Sequence, residues 1–264
     1  MKHKKILIIG ATALACGIAS VYGSDCLVVG LDSSAGSEFA DAMDNHPVDF
    51  TKLGAAGREL CDELEARGVL NERGELHILA LAGVFAKRFL DSGCDILLGA
   101  VPVSIEPTGD GFLATIFTAA DGYIQVLADN VIDTTVQIDE CRKISGQGIK
   151  KTFGMMLSGE TGFGSIDGAK LTKGYFDDEY VLRFEILDNS SDEMSIPDAE
   201  KLADEWLEKN SDALKRAKVI SIALAFGYES TGEIFYIRDG IKHIPSGAVS
   251  DAVTAFDRGA SIAL

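Results

Sequence analysis

The N-terminal segment shows two apolar runs separated by a stretch of helical periodicity. Residues 4–9 form a β-branched run that stops at Gly10, and residues 26–31 form a second apolar run after a short polar turn. Within residues 12–22 the large apolar side chains lie on one helical face and small residues lie on the other. The pattern predicts a strand, a helix and a second strand, which together form a β-α-β unit.

The same segment has an alternative interpretation as an export signal. It has a basic start, an apolar core and a cysteine, Cys16, directly after Ala15, as in a lipoprotein cleavage site. However, Gly10 interrupts that core where a strand should turn, and a signal peptide needs no second apolar run. The internal β-α-β unit is therefore the favoured interpretation, and acylation at Cys16 is the remaining alternative.

Further along the chain, the pattern predicts helices and then a run of strands. Three strands within residues 101–133 are joined by turns at 109–111 and 120–122, and both turns contain Asp-Gly, which is typical of hairpins. The other elements predicted before residue 133 are a short helix within 33–43, helices at 55–67 and 76–92, and a strand at 95–99. This order predicts an α/β fold that contains a three-stranded β-meander.

Residues 146–217 differ in pattern from the segments on either side. The glycine-rich stretch 146–176 is predicted to be an irregular connector, because its glycines are followed by Ser165 and not by the Lys of a phosphate-binding loop. An alternating strand follows at 179–187, and Ser195 is the predicted N-cap of a helix that continues to about residue 209. The segment is therefore predicted to form a small α+β cap.

The composition is that of a globular protein with a large acidic excess. Of 264 residues, 24 are Lys or Arg and 41 are Asp or Glu, which gives a formal charge of −17. Such a surface repels phosphate backbones and anionic lipids, so we expect no nucleic acid or membrane partner, whereas a cofactor held by local backbone donors is compatible with it. The five cysteines form no Cys-x-x-Cys pair, which favours a reducing, cytoplasmic location.

The first turn carries the clearest candidate chemistry. Gly10, Thr12 and Ala15 align with Gly-x-Gly-x-x-Gly/Ala, the fingerprint that directs helix N–H groups at a pyrophosphate. Thr12 replaces the second glycine of the fingerprint. Gly30 lies where a ribose-binding acid is expected, and Asp32 is the candidate substitute.

Other catalytic signals are weak in this sequence. His46 and His243 are candidates for proton transfer, and the alternative is that both are structural or solvated histidines. The sequence has no His-x-His or His-Glu-x-x-His spacing and no Gly-x-Ser-x-Gly turn. Neither a metal site nor a serine hydrolase is therefore expected.

The order of elements, with these residues, resembles the FAD-dependent oxidoreductases of the glutathione-reductase-like class. In that family a Rossmann-type FAD domain is interrupted by a β-meander and resumes with a strand that ends in Ala-Thr-Gly. Residues 127–135 (LADNVIDTT) match the approach to that strand, and residues 234–263 resemble the closing segment of the family. The resemblance implies a discontinuous FAD domain with a Rossmann-like parallel sheet at 1–145 and 218–264, and a reduced substrate or cap domain at 146–217.

The resemblance also implies which residues contact FAD. Asp239 fills the acidic position of the closing segment, and residues 246–248 form its loop. The complete set of implied FAD-binding residues is Gly10, Ala11, Thr12, Ala13, Ala15, Asp32, Ser37, Glu38, Val103, Thr134, Thr135, Asp239, Ser246, Gly247 and Ala248.

The implied activity is hydride transfer between a small-molecule substrate and the flavin ring. The cofactor carries the chemistry in such enzymes, so no motif assigns a catalytic residue or the substrate. The alternative is a cofactor-free relative that acts as a binding or partner subunit, which Thr12, Gly30 and the short insert favour. A homo-oligomer is compatible with both interpretations.

Overall fold

The β-branched run that ends before Gly10 forms the first strand of an eight-stranded sheet. The computed structural model describes residues 2–136, 149–159, 168–186, 194–212, 216–230 and 234–263. Within these residues the strands are, in chain order, β1 (Lys2–Ile9), β2 (Cys26–Gly30), β3 (Asp95–Leu98), β4 (Val101–Thr108), β5 (Gly111–Thr118), β6 (Gly122–Asp133), β7 (Ile149–Ser158), β8 (Ala169–Lys173), β9 (Glu179–Ile186), β10 (Lys218–Ile222), β11 (Gly227–Ser230), β12 (Tyr236–Arg238) and β13 (Ile241–His243). The α-helices are α1 (Ala13–Tyr22), α2 (Ser37–Ala40), α3 (Ala55–Ala66), α4 (Leu81–Ser92), α5 (Ile196–Lys209) and α6 (Ala252–Ala260).

The first sheet is parallel at its centre. Its strand order is β12-β13-β6-β1-β2-β3, and β13, β6, β1, β2 and β3 run in the same direction. The meander β4-β5-β6 extends from one end of β6 by antiparallel pairing. The predicted fold class, an α/β Rossmann-like sheet with a β-meander and a small α+β cap, is therefore confirmed.

Helix α1 packs very closely against α6 through two glycines. A Cβ atom placed on Gly17 would lie 2.0 Å from the carbonyl oxygen of Phe256, and one placed on Gly259 would lie 2.0 Å from that of Leu14. Residues 13–19 of α1 are buried, as the small-residue face predicted for this helix requires. This packing fixes the N-terminus of α1 at the edge of the sheet.

The helix predicted at 76–92 begins later than expected, at Leu81 after a 3₁₀ turn. Leu76 instead forms an isolated β-bridge with Leu70. The Asn71 side chain holds the turn between them, because its Oδ1 accepts from the amide of Glu75 at 3.1 Å. Residues 70–76 therefore form a bridged turn and not the first turn of the helix.

The segment predicted to be an irregular connector contains two strands, so that prediction is wrong for β7 and β8. Strand β7 is buried along nearly all of its length and lacks the alternation of polar and apolar residues that identifies an exposed strand. Its Gly154 lies against the loop after α2, where a Cβ atom would be 2.7 Å from the carbonyl oxygen of Ala42. Residues 160–167 of the same segment lie outside the described residues.

The second sheet is antiparallel, with the order β10-β7-β9-β8 and with β11 also paired to β7. The predicted strand at 179–187 is β9, and the predicted helix after Ser195 is α5, which begins with a reciprocal capping box to Asp198. Strands β10 and β11 belong to this sheet, although the predicted division assigned residues 218–230 to the other unit. The sheet pairing thus extends the cap-like unit beyond its predicted end.

The buried cysteines behave as apolar residues. Cys16, Cys26 and Cys61 are buried as free thiols, and Cys141 lies outside the described residues. No helix among the described residues is long and apolar enough to cross a membrane.

Candidate functional site

A cleft lies at the carboxyl ends of the parallel strands, beside the turn after β1. It encloses about 310 Å³, at the small end of the roughly 300–1,000 Å³ typical of ligand pockets. The chain continues from β1 to β2 on one side and later returns through β6 on the other, and ligands of open α/β sheets bind where the strand order reverses in this way. The predicted site residues that line the cleft are Gly10, Ala11, Thr12, Asp32, Ser37, Glu38, Thr134, Thr135 and Gly247.

The turn after β1 requires glycine. Gly10 has φ of +95°, and a Cβ atom there would lie 2.7 Å from Oγ1 of Thr134. The Thr134 hydroxyl donates to the carbonyl of Ile9 at 2.8 Å and accepts from the hydroxyl of Thr12 at 2.8 Å. Gly10 therefore lets the end of β6 approach the end of β1, and the two threonines join them.

Thr12 has a structural role at the position of the missing glycine. It is the N-cap of α1, and its Oγ1 accepts from the amide of Ala15 at 3.1 Å. The side chain of Ala15 is fully buried in α1 and does not line the cleft, so the residue acts there only through its amide, which donates to Thr12.

Glu38 places its carboxylate at the N-terminus of α1. Its Oε1 accepts from the amide of Ala13 at 2.7 Å and from the hydroxyl of Ser246 at 2.7 Å. Ser246 Oγ in turn accepts from the amide of Leu14 at 3.2 Å. Burial raises the pKa of Glu38 to about 7, against the opposing effect of these hydrogen bonds.

The backbone explains how Glu38 reaches this position. The amide of Gly36 donates to the carbonyl of Ala11 at 2.8 Å, and α2 begins at the next residue. Glu38 Oε2 is buried and has no hydrogen-bond partner among the described residues. A carboxylate from 25 residues downstream thus occupies the place at α1 where the fingerprint would bind an anion.

The end of β2 has no room for the expected ribose-binding acid. A Cβ atom at Gly30 would lie 2.8 Å from Cβ of Ala11, so an acidic residue would require the first turn to move. Asp32 lies nearby at the exposed mouth of the cleft, where it accepts from the hydroxyl of Ser37 at 2.6 Å.

Some predicted site residues lie outside the cleft. Val103 is half-exposed on the outer meander strand β4. Asp239 is exposed in the turn between β12 and β13, with φ of +51°, because the closing segment forms a two-stranded hairpin before its loop. Ala248 ends a short 3₁₀ turn, and Ala13 and Ser246 lie beneath the cleft in the Glu38 network.

The histidines proposed for proton transfer do not line this cleft. His46 contacts Asp44 at 2.7 Å, Glu229 at 3.2 Å and Arg183 at 2.8 Å, in a polar cluster on the second sheet. Burial lowers the pKa of His46, but the hydrogen bonds to both carboxylates outweigh that effect and raise it. His243 is buried, stacks on Tyr236 at 4.5 Å and has Nδ1 3.2 Å from Asp133. Both are structural histidines in this fold.

One wall of the cleft was not expected from the sequence. It consists of residues 224–226 and Tyr228, which lie between and within the last strands of the second sheet. The amides of Leu224 and Ala225 donate to the carbonyl of Asp41 at 2.7 and 3.1 Å. In the sequence, Gly227 interrupts this apolar run and could have indicated a turn or a new strand. The sequence does not show that the wall reaches the cleft, because that depends on the pairing of β11 with the distant strand β7.

Solved structures with the same fold include flavin-dependent enzymes. A geranylgeranyl bacteriochlorophyll reductase-like protein from Thermoplasma acidophilum aligns with a TM-score of 0.66 at 14% identity, over 98% of this chain and 77% of that one. The myxobacterial chondrochloren halogenase CndH, an FAD-dependent halogenase, aligns with a TM-score of 0.60 at 10% identity, over 97% and 72%. This chain shares the Rossmann-like fold of these proteins.

Other similarities extend over a smaller part of the larger enzymes. The flavin-dependent monooxygenase PieE, whose structure contains FAD and substrate, aligns with a TM-score of 0.55 at 14% identity, over 96% of this chain and 56% of that one. No protein-family profile and no curated protein sequence matches this chain. These neighbours support a flavoprotein fold, and the glutathione-reductase-like subclass stays a prediction.

Proposed function

We propose that this protein is an oxidoreductase that binds FAD in the cleft beside Gly10 and transfers hydride between a small-molecule substrate and the flavin. One observation carries the proposal: three segments distant in sequence, 10–12, 134–135 and Gly247, meet at the carboxyl edge of the sheet beside the N-terminus of α1. The fold that this chain shares with an FAD-dependent halogenase, a flavin-dependent monooxygenase and a reductase-like protein supports it.

The cleft fits a flavin nucleotide in its position and in its backbone shape. Gly10 and Gly247 line the cleft without side chains of their own, and a Cβ atom at Gly247 would approach Val136 to 3.3 Å. The amides of Ala13 and Leu14 are the donors that a diphosphate would use. The Glu38 carboxylate is the group that conflicts with it, because it already holds the Ala13 amide.

The residues of the chain would bind and orient the cofactor. When bound, FAD supplies a two-electron acceptor for hydride. The amides of Ala13 and Leu14 would orient the diphosphate, and Asp32 and Ser37 would bind sugar hydroxyls at the mouth. The 224–226 wall would exclude water. The titratable groups of the described lining are carboxylates and one tyrosine. Burial raises the pKa of one of these carboxyl groups, Glu38, to about 7.

A second candidate function is favoured by the same carboxylate. Thr12, Ser246 and Glu38 satisfy the first amides of α1 without any ligand. The described lining also contains no lysine or arginine to attract a phosphate. On this alternative the protein keeps the flavoprotein fold and acts as a cofactor-free binding or partner subunit.

Titration with FAD tests the first proposal. We expect the wild-type protein to bind FAD at one site and to show a flavin absorption band that bleaches on anaerobic two-electron reduction. Gly247→Leu fills the cleft and should weaken binding by roughly tenfold or more. Gly109→Leu is the matched control, because the position lies on the meander and a Cβ atom there would meet no other atom within 4 Å.

The two candidates predict different results in this titration. If wild-type protein and a variant without the Glu38 carboxylate both fail to bind FAD, the oxidoreductase proposal is contradicted and the cofactor-free alternative is favoured. Equal weakening by Gly247→Leu and Gly109→Leu would place the flavin outside this cleft.

A further inference from the structure

The N-terminus of α1, where a helix can bind an anion, is capped by a carboxylate of the same chain, that of Glu38. Helix N-termini attract negative charge because their first amides lack partners within the helix and the helix dipole is positive there. In α1 the local N-cap, Thr12, satisfies the amide of Ala15. The amides of Ala13 and Leu14 remain, and Glu38 and Ser246 satisfy them from other parts of the chain.

The Glu38 carboxylate is incompletely compensated in this place. Its Oε2 is buried without a hydrogen-bond partner among the described residues. A buried carboxylate oxygen without a donor destabilises the charged form. The charged residues that line the cleft with it, Asp32 and Asp41, are also acidic, and Asp32 adds repulsion.

The arrangement of hydrogen bonds is one that an external diphosphate can replace. A phosphate oxygen at the Glu38 Oε1 position would accept from the same two donors, the Ala13 amide and the Ser246 hydroxyl. The phosphate oxygen cannot bind these donors while Glu38 Oε1 accepts from them, because two anionic oxygens cannot occupy the same position. Glu38 lies on the four-residue helix α2, directly beside the open cleft.

We propose that Glu38 is an internal competitor for the diphosphate-binding amides of α1, so that the Glu38 carboxylate and the diphosphate of a nucleotide occupy them in turn. The identity of the ligand as a flavin nucleotide rests on the proposed function, whereas the competition itself concerns any diphosphate. In the ligand-free protein Glu38 caps α1, and binding requires its displacement.

The test compares two ligands and four proteins by calorimetric titration at pH 8. The ligands are inorganic pyrophosphate, which probes the amides alone, and FAD. The proteins are wild type, Glu38→Gln, Glu38→Ala and the control Glu106→Gln, which removes one carboxylate from an exposed position of the meander. Glu38→Gln is nearly isosteric, so it tests the charge without opening a space.

We expect pyrophosphate to bind roughly tenfold or more tightly to both Glu38 variants than to wild type, with the larger gain in Glu38→Ala. That factor corresponds to removal of one charge-assisted hydrogen bond that the ligand otherwise has to replace. Glu106→Gln should bind as wild type does. In wild-type protein, high pyrophosphate should shift the amide resonances of Ala13 and Leu14, which locates the competition at α1.

The outcomes separate this proposal from the proposed function. Pyrophosphate affinity that is the same in wild type and both Glu38 variants, including no binding by any of them, overturns the competition. Stronger pyrophosphate binding by the variants without FAD binding supports the competition and contradicts the flavin function. FAD binding that is equally tight in wild type and Glu38→Ala supports the flavin function and overturns the competition.

Discussion

Thr12 shows how one side chain makes the first turn independent of a ligand. In the dinucleotide fingerprint, glycine at this position lets a pyrophosphate approach the backbone. The Thr12 hydroxyl instead accepts from the Ala15 amide and donates to Thr134. Replacing such an N-cap by alanine destabilises a helix by about 1 kcal/mol, whereas glycine is nearly as good a cap as threonine. What threonine adds over glycine is therefore the hydrogen bond to Thr134, which joins the first turn to the end of β6.

The buried Glu38 carboxyl group gives the first prediction for stability. Because burial raises its pKa to about 7, the folded state binds the proton more tightly than the unfolded chain does. This contribution to the free energy of unfolding is complete below the unfolded pKa of about 4.3 and is lost as the pH rises through 7. We expect a loss of about 2–3 kcal/mol in wild type between pH 5 and pH 8 that is absent in Glu38→Gln.

Urea unfolding at a series of pH values measures this difference. Other carboxylates of this acidic protein also titrate in the range, so the difference between wild type and Glu38→Gln is the quantity to compare. Glu106→Gln should follow the wild-type curve. Parallel curves for wild type and Glu38→Gln would contradict the buried, poorly compensated state of this carboxyl group.

At the scale of secondary-structure elements, the correct predictions are those that depend on residues close together in the sequence. The β-α-β unit followed from Gly10 and the two apolar runs, the meander followed from its Asp-Gly turns, and α5 followed from its capping residues. Strand β7 was missed because burial on both faces removes the period-two pattern, and because Gly154, which allows close packing, was interpreted as part of a loop. Strand β8 was missed because it is only five residues long and lies in the glycine-rich stretch.

The candidate site could be predicted only in part, for a related reason. The residues of the first turn are contiguous, so the fingerprint identified Gly10 and Thr12. The capping of Ala13 by Glu38 depends on where α2 lies after β2, and the 224–226 wall depends on strand pairing across the second sheet. No motif or residue spacing in the sequence predicts either contact.

The crossing of α1 and α6 provides a prediction at the scale of elements. Gly17→Ala would place Cβ 2.0 Å from the Phe256 carbonyl oxygen, so the helices must separate, which we expect to lower the free energy of unfolding by about 2–3 kcal/mol or more. Gly83→Ala, at an exposed position of α4 with no neighbouring atoms within 4 Å, should instead raise it by up to about 1 kcal/mol through helix propensity.

Thermal and urea unfolding of the two alanine variants measure these opposite effects. The substitution is the same in both helices, so only the surroundings differ. If Gly17→Ala is as stable as wild type, α1 and α6 must lie further apart at Gly17 than this structure shows.

At the scale of the whole molecule, a buried ion pair joins the loop after α2 to the second sheet. Arg183 of β9 and Asp44 are each 2% exposed, with Nη1 2.6 Å from Oδ1. The hydrogen bond from His46, with the nearby Arg183, lowers the pKa of Glu229 to about 2 beside them. The same loop begins at Asp41, whose carbonyl holds the 224–226 wall. The cluster therefore fixes the second sheet, which carries the 224–226 wall, to the loop after α2.

This ion pair gives the last prediction. Arg183→Met leaves the buried Asp44 with His46 as its remaining partner, and we expect it to lower the free energy of unfolding by about 3–5 kcal/mol. Glu185→Gln, on the same strand, removes a half-exposed pair with Lys150 at 2.8 Å, which should matter by at most about 1 kcal/mol because solvent screens it. Combining Arg183→Met with Asp44→Asn removes both buried charges and should recover much of the loss. Asp44→Asn alone is the fourth variant, and urea unfolding of all four measures the coupling between the two charges. If Arg183→Met and Glu185→Gln lower the free energy of unfolding equally, the buried pair does not hold the second sheet in place.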